Sequence, residues 1–432
     1  RGGNSGPADF SILSQLGRHP AALATVSVLM MVFAFVPGLP FFPFMAAALI
    51  LGYAGFRGMK SIRNPEISEP DSGGSQDVQR PLGDLIDLDD IHVEFAPDLV
   101  RMILDPATGL DVRITNMRAH IARTFGLIIP EIRLTDQELL DRGQYVIRTQ
   151  GVEQARGVLH PDLVMALVSD DTPVLAEGMD VQEPVYGASA RWIPTSERER
   201  TVMSGLTVVT APEILATHML EVIRRNLSRL LTLKALRKML AELCRVSDPV
   251  RADANKRLID ELIPDRVPVD TAQAVLKLLL DEQVSIRNLP VILEAISDAR
   301  APTTQAETIC EHVRQRLGFQ IIGALKRDDG SVPLVQLAPE WEEIFSRHQI
   351  AQDRGLTEIA LPPEAFGNLA KNLSQALADS EDRGIHAAVV TSMQRRRFLR
   401  TVLQSQGLSA PVISFEEIGV EGRPSLVGIV AA

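Results

Sequence analysis

The stretch RVPVDTAQAVLKLLLDEQVSIRNLPVILEAI, Arg266 to Ile296, contains two helical patterns joined by a short extended connection at residues 284–286. Asp270 is a favourable N-cap for the first helix, and Asn288 is a favourable N-cap for the second. After Asn288 the apolar side chains recur at helical spacing and form one face, made of Leu289, Ile292, Leu293 and Ile296. The stretch therefore predicts a helical region in the middle of the chain, extending from about Asp248 to Gln320.

Mixed α/β patterns flank this helical region on both sides. The preceding segment predicts strands at IHVEFA, IPEIRL, QYVIRTQ, 163–168, 191–193 and 206–209, a helix over 111–125 and helical structure over about 212–246. The following segment predicts strands at QIIGAL, VPLVQLA and HAAVVT, and helices at PEAFGNLAKNLSQALA and SMQRRRFLRTVLQSQG. A chain of 432 residues is too long for one ordinary core, so several domains are expected.

The N-terminal segment differs from the rest, because no charged side chain occurs from Pro20 to Phe56 in a protein with 23% charged residues. One straight helix of that length would exceed the ~30 Å hydrocarbon thickness of a bilayer. Pro37, Gly38 and Pro40 provide a turn, so residues 1–60 are predicted to form a membrane hairpin of two α-helices. A cleaved signal peptide and a buried core hairpin are the alternatives.

The charges around this hairpin predict its orientation. Arg18 precedes the first helix, Arg57, Lys60 and Arg63 follow the second, and the turn has no charge. The positive-inside rule then places both ends in the cytoplasm. Residues 61–88 are rich in Pro, Gly, Ser and charge, and are predicted to be a flexible linker. The chain begins with Arg1 rather than Met, so it is expected to be a fragment.

Motifs of enzymes are absent from the sequence. It has no phosphate-binding loop, dinucleotide fingerprint, nucleophile elbow or HExxH motif, and its histidines are isolated, so neither a catalytic residue nor a cofactor or metal is predicted. Asp84, Asp87, Asp89 and Asp90 form an acidic cluster that favours a solvated face over a metal site. The net charge of −11 argues against nucleic acid as the main partner.

Aromatic residues are scarce, at 4%, so a pair of them in EPVYGASARWIP is informative. Tyr186 and Trp192 lie there on a predicted loop or strand edge, beside Glu183, and this suits recognition of a partner protein. The alternative is that both rings fill the core of a small domain. A second feature, the basic cluster at 395–400, favours a solvated helix face, with contact to an acidic neighbour or a membrane surface as the alternative.

Four stretches give the chain its resemblance to a known family. The Arg266–Ile296 stretch, SGLTVVTAPEILATHM at 204–219, VPGLPFFPF and PVISFEEI resemble blocks of the type III secretion export-gate (FlhA/LcrD/InvA) family. The resemblance covers essentially the whole chain. The sequence at 204–219 is most similar to the flagellar branch of the family.

The resemblance implies a fold beyond what the patterns predict. The fragment would keep the last two membrane helices (1–60) and the linker (61–88). A thioredoxin-like first subdomain would comprise 89–161 and 211–230, with a small inserted α/β second subdomain at 162–210. A helical third subdomain would follow at 231–310 and an α/β fourth subdomain at 311–432.

The resemblance also implies a function and a site. The family forms a nine-membered ring beneath a secretion pore, in the bacterial inner membrane, and receives export chaperones with their cargo alongside other export-gate and ATPase-complex proteins. Its flagellar branch has an Asp-Pro-x-Phe-Gly docking loop and a Thr in a helix, which correspond here to Glu183, Tyr186 and Thr217. Trp192 is added as a neighbouring aromatic residue. A virulence-type injectisome subunit and, from another class, a membrane-tethered enzyme are the alternatives.

Overall fold

The computed structural model describes residues 88–105, 109–168, 177–299, 305–351, 357–419 and 422–432. The predicted membrane hairpin, its turn residues Pro37, Gly38 and Pro40, and the linker up to residue 87 lie outside these ranges. Among the residues that the structure describes, no helix combines the length and the apolar character that crossing a bilayer requires.

The first part of the described chain is a four-stranded mixed sheet, here called the N-terminal sheet, with strand order β2-β1-β3-β4. Strand β1 pairs in parallel with β2 and antiparallel with β3, and its alternating residues Ile91, Val93 and Phe95 are buried. The elements are β1 (Ile91–Phe95), α1 (Val100–Leu104), α2 (Leu110–Thr124), β2 (Ile132–Asp136), β3 (Gln144–Thr149) and β4 (Val152–Val158).

A second four-stranded sheet, here called the inserted sheet, follows β4 in the chain and is antiparallel throughout, with strand order β6-β7-β5-β8. Its elements are β5 (Leu163–Leu167), β6 (Met179–Gln182), β7 (Ser189–Pro194), α3 (Arg198–Met203) and β8 (Val208–Thr210). The chain then forms α4 (Ala211–Arg225), which packs against the N-terminal sheet core through Ile214, Leu215 and Met219. The inserted sheet thereby precedes α4 directly, through β8.

Helices form the middle of the chain, here called the helical region. The helical structure predicted over about 212–246 consists of three helices, because the chain breaks after Arg225 and again before Thr232, whose side chain caps the next helix. The elements are α5 (Leu227–Leu230), α6 (Leu233–Leu243), α7 (Pro249–Leu262), α8 (Val269–Asp281), α9 (Leu289–Ala299) and α10 (Ala306–Arg316).

Within the helical region the apolar face after Asn288 is confirmed, since Leu289, Ile292, Leu293 and Ile296 are all buried. The prediction that Asp270 caps α8 was wrong, because the cap position is Pro268. The Asp270 carboxylate instead accepts a hydrogen bond from the Thr271 amide, 2.9 Å away, in the first helical turn. An acidic residue is favourable there because it faces the positive end of the helix dipole.

The last part contains a parallel four-stranded sheet, here called the C-terminal sheet, with strand order β13-β12-β9-β14. Helices cover both of its faces, since Val389 of β12 packs into one core cluster while Ala388 and Val390 pack into another. The elements are α11 (Gly318–Leu325), β9 (Ser331–Leu337), α12 (Pro339–Arg347), β10 (Gln349–Ala351), β11 (Thr357–Ile359), α13 (Pro363–Glu381), β12 (Ala388–Thr391), α14 (Met393–Ser405), β13 (Val412–Ser414), α15 (Phe415–Ile418) and β14 (Arg423–Val430). The stretch QIIGAL was predicted to be a strand but forms most of α11.

The arginines of α14 do not form the solvated face that the sequence favoured. Arg396 is 0% exposed, and its guanidinium binds the carboxylates of Glu311 and Glu282, with an Nε–Oε2 distance of 2.7 Å to Glu311. Arg314, on α10, binds Glu417 on α15 through Nε and Nη2 at 2.9 and 3.1 Å. These five residues form the buried ion cluster, which joins the helical region to the helices around the C-terminal sheet.

Candidate functional site

The loop between β6 and β7, residues 183–188, carries the first candidate site residues. Its backbone closes on itself, because the Glu183 amide donates to the Ala188 carbonyl at 2.8 Å and the Gly187 amide donates to the Glu183 carbonyl at 2.9 Å. Gly187 has a φ of +72°, a conformation that glycine adopts without strain. Tyr186 is at the tip of this loop and is 69% exposed.

Glu183 lies beneath the loop rather than on its surface, with only 8% of the residue exposed. Its two carboxylate oxygens accept hydrogen bonds from the Val185 amide at 3.0 Å and the Tyr186 amide at 2.8 Å. Pro184 has no amide hydrogen, so these are the first two free amides of the turn. The carboxylate therefore accepts hydrogen bonds from the amides of the turn, as an N-cap side chain does from the first amides of a helix.

Helix α4 carries the other candidate residue, Thr217, and its start is well defined by the sequence. Thr210 and Glu213 form a capping box, and Pro212 occupies the first turn, as the sequence predicts. Thr217 is exposed, and its hydroxyl donates to the Glu213 carbonyl at 2.9 Å. Glu221 and Arg224 lie on the same helix face as Thr217, because they follow it by four and seven residues.

The face of α4 that carries Thr217 also lies close to the Tyr186 loop. Arg224 binds the Glu221 carboxylate in a bidentate pair, with both distances 3.0 Å. The hydrogen bond to Glu221 raises the pKa of Arg224, and burial opposes this rise. Val185 of the loop borders the same cleft as Glu221 of α4, so the loop and this face of the helix are neighbours.

A cleft of about 400 Å³ opens beside the loop. Val185 borders it on the loop side, Gln154 and Ala155 border it on the β4 side, and Asp281 borders it at the end of α8. Helix α4 and the residues after it provide the remaining lining side chains, which are His218, Glu221, Val222, Arg225, Asn226, Ser228 and Arg229. The loop, β4, α8 and α4 with the residues after it thus meet at one polar cleft.

Below the cleft lies a buried polar pair that the sequence analysis missed. The Tyr145 hydroxyl is 2.7 Å from Nδ1 of His218, and the two rings meet edge to face. Burial lowers the pKa of His218, which the nearby Glu183 carboxylate partly offsets. Burial, followed by the Glu183 charge, raises the pKa of Tyr145. Both side chains are therefore neutral near pH 7. Burial favours the neutral form of each, because it makes the charged form costly.

The two aromatic residues of EPVYGASARWIP separate in the structure. Trp192 is 2% exposed and packs edge to face against His160, with ring centroids 5.1 Å apart. Its inclusion among the partner-binding residues was wrong, because its ring fills the core instead. Tyr186, in contrast, is exposed, so its ring does not fill the core.

The structure brings the Tyr186 loop, through Val185, and helix α4, through His218 and Glu221, to the same cleft. Sequence reasoning did not find Val185, His218 or Arg224 as neighbours of the site. Helical periodicity could have indicated Arg224, because it follows Thr217 by seven residues on the same helix. Nothing in the sequence linked Tyr145 to His218. Among the described residues, no group of three or more His, Cys, Asp or Glu side chains is arranged to hold a metal ion.

Comparison with known proteins places the chain among secretion proteins. The model of the FHIPEP family matches residues 1–422. The flagellar biosynthesis protein FlhA of Caulobacter vibrioides is 30% identical over 435 residues, which cover 100% of this chain and 61% of that protein. FlhA of Bacillus subtilis is 27% identical over 348 residues, covering 80% of this chain and 50% of that protein. The chain thus spans between half and about six tenths of the length of these relatives.

Solved structures share the fold at lower identity. The Chlamydia pneumoniae CdsV protein has a TM-score of 0.65 and 21% identity, covering 79% of this chain and 96% of that chain. The nonameric SctV-C of EPEC has a TM-score of 0.62 and 15% identity, covering 79% of this chain and 98% of that chain. With a family model that matches nearly the entire sequence, and a fold shared with these domains, the chain belongs to the FHIPEP family.

Proposed function

We propose that this chain is the membrane export-gate subunit of a flagellar type III protein export apparatus. It docks complexes of export chaperones and cargo on its cytosolic part and passes the cargo to the export pore. The curated relatives described above support this proposal, because both are named flagellar biosynthesis proteins.

The proposal includes a location and an assembly. The charge-free stretch from Pro20 to Phe56 supports anchoring in the bacterial inner membrane, with the part after it in the cytoplasm. A ring of nine copies is supported by the nonameric state of the EPEC protein that shares the fold. The complex of CdsV with CdsO supports contact with other secretion components.

One observation supports the docking site above all others. Tyr186 is a large exposed ring on a loop whose backbone is closed by hydrogen bonds, and such a ring binds with little loss of conformational entropy. Beside the loop a polar cleft opens, bordered by Val185 and by side chains of α4, the helix that also exposes Thr217. An exposed ring next to a cleft lined by charged side chains suits a protein partner rather than a small molecule.

The first prediction tests this site. Tyr186→Ala should weaken the binding of purified export chaperone–cargo complexes from the same bacterium by ~2 kcal/mol or more, the range of interface hot spots. The thermal midpoint should stay nearly unchanged, because the ring contributes little to the core. Binding is measured by titration calorimetry with the full chain, and stability by thermal unfolding.

Met203→Ala is the matched control, because Met203 is an exposed apolar side chain of the inserted-sheet region, 86% exposed. It should bind the complexes as the parent protein does. If folded Tyr186→Ala protein binds every complex as tightly as the parent, the proposed docking site is wrong.

A virulence-type injectisome subunit is the second candidate. The solved cytosolic domain of EscV, from a type III secretion system, shares the fold with a TM-score of 0.60 at 17% identity. A neighbouring set of flagellar genes would support the first candidate, and a set of injectisome genes would support the second.

A further inference from the structure

We propose that Glu183 is a positioning residue of the docking site, which acts through Tyr186 and makes no contact with the docked partner. The inference rests on the proposed docking function and specifies how the loop performs it. It differs from the family resemblance, which implies that Glu183 is itself a docking residue.

The carboxylate has little capacity left for a partner. One of its oxygens accepts from the Val185 amide and the other from the Tyr186 amide, at 3.0 and 2.8 Å. The residue is 8% exposed, so a docked protein would find the carboxylate covered by the loop. Hydrogen bonds to an ionised acceptor are about twice as strong as neutral ones, so displacing these two amides would be costly.

The same two hydrogen bonds fix the base of the exposed ring. The Tyr186 amide is held by a buried carboxylate while its side chain is 69% exposed, so the ring projects from an anchored backbone. The turn would otherwise leave the Val185 and Tyr186 amides without an acceptor in the loop. A loop held in its binding conformation binds more tightly, because less conformational entropy is lost on docking.

The charge of the carboxylate acts on a buried polar pair of the neighbouring elements. It partly offsets the lowering of the His218 pKa by burial and adds to the rise of the Tyr145 pKa. Tyr145 belongs to the N-terminal sheet and His218 to α4. Glu183 therefore anchors the loop at the point where the inserted sheet meets these two elements.

A double-mutant cycle distinguishes positioning from contact. Glu183→Gln keeps the size of the side chain but has one acceptor oxygen instead of two, so one amide loses its partner. We expect binding of a purified chaperone–cargo complex to weaken about tenfold, the effect of losing one hydrogen bond to a charged group. In the Tyr186→Ala background the same substitution should change binding less than about twofold. The ring through which Glu183 acts is then absent, so the effects of the two substitutions are not additive.

Two further variants complete the test. Glu183→Asp retains two acceptor oxygens and should restore most of the affinity. Glu199→Gln, on the exposed α3, removes the same charge without touching the loop and should bind as the parent does. Hydrogen exchange at the Val185 and Tyr186 amides should be faster in free Glu183→Gln than in the parent, which checks that the substitution releases the loop.

The outcomes are separable. An equal loss from Glu183→Gln in the parent and in the Tyr186→Ala background would show direct contact and overturn the inference. Full binding by Tyr186→Ala would overturn the docking site itself, while amide exchange would still report on the loop.

If Glu183→Gln does not fold, Gly187→Ala replaces it in the cycle. A Cβ there meets no atom within 4 Å, so it disturbs only the +72° backbone and should give the same non-additive loss.

Discussion

His218 is a buried histidine whose neighbours come from three separate elements. Its Nδ1 bonds the Tyr145 hydroxyl, and the charges of Glu183, Glu221 and Arg225 act on it. Burial lowers its pKa below the ordinary value of 6.5 more than the two carboxylates raise it. The neutral imidazole is therefore the form that the folded site accommodates.

This shift predicts how stability depends on pH. In the unfolded chain His218 takes up a proton near its ordinary pKa of 6.5, whereas in the folded protein it does so at lower pH. Between these two values the unfolded state binds more protons. His218 therefore contributes stability that is fully present above pH 6.5 and is lost as the pH falls towards the folded pKa.

The measurement is the free energy of unfolding at several pH values from 8 to 5. His218→Gln keeps a hydrogen-bonding group opposite Tyr145 but does not titrate, so its stability should fall less steeply with acidification than that of the parent. Identical slopes for the two proteins would show that His218 does not have the lowered pKa.

At the scale of secondary-structure elements, the pairing of β3 with β4 places Gly157 opposite Tyr145. A Cβ at Gly157 would lie 2.5 Å from the Tyr145 hydroxyl oxygen and 2.7 Å from Cζ. No side chain fits there unless the ring moves, and the ring is held by His218. The glycine of β4 thus makes room for the buried polar pair.

Gly157→Ala should therefore destabilise the protein by ~1–3 kcal/mol, the usual effect of overpacking a core. Gly367→Ala is the control, because Gly367 lies in α13 and a Cβ there meets no atom within 4 Å. That substitution should stabilise by ~0.5–1 kcal/mol, since alanine is the better helix former. Denaturant unfolding of both variants gives the comparison, and a neutral Gly157→Ala would contradict the assigned packing.

Periodicity in the sequence predicted long helices better than short ones. Helices α9, α13 and α14 were predicted because their patterns extend over enough residues to be distinctive, and strands β1, β3, β9 and β12 were predicted from short runs rich in apolar residues. The stretch QIIGAL is short and apolar with two adjacent isoleucines, a composition that fits a buried strand or a buried helix equally well. Its helical state depends on tertiary packing of Ile322 against the C-terminal sheet, which the sequence does not reveal.

At the scale of the whole molecule, the least predictable feature was the buried ion cluster. The sequence showed four nearby arginines in α14, and a basic run usually forms a solvated face. The partners of Arg396 are far away in the chain, since Glu311 is separated from it by 85 residues and Glu282 by 114. Local patterns contain no information about such pairs. For the same reason Trp192 could not be assigned to the core, while the loop carrying Tyr186 could be found from its local composition.

The electrostatics of the cluster depend on all five groups together. Burial alone would lower the pKa of Arg396, but its bonds to Glu311 and Glu282 raise it above its ordinary value. Burial would raise the pKa of Glu282, yet Arg314 and Arg396 lower it. The pKa of Glu417 is raised, because the effect of burial exceeds the lowering effect of Arg314. Arg396 therefore pairs with Glu311 and shares Glu282 with Arg314, whose guanidinium is 3.1 Å from the Glu282 carboxylate.

The final prediction follows from this balance. Arg396→Met fills a similar volume but leaves Glu282 and Glu311 with one cation fewer, and breaking a buried pair from one side typically costs ~3–5 kcal/mol. Arg397→Met changes the next residue, whose guanidinium is outside the cluster, and should stay within ~0.5 kcal/mol of the parent. Urea unfolding measures both, and limited proteolysis should show the part from Gly318 onward cleaved faster in Arg396→Met alone. Equal stability of the two variants would mean that the cluster does not hold the C-terminal sheet to the helical region.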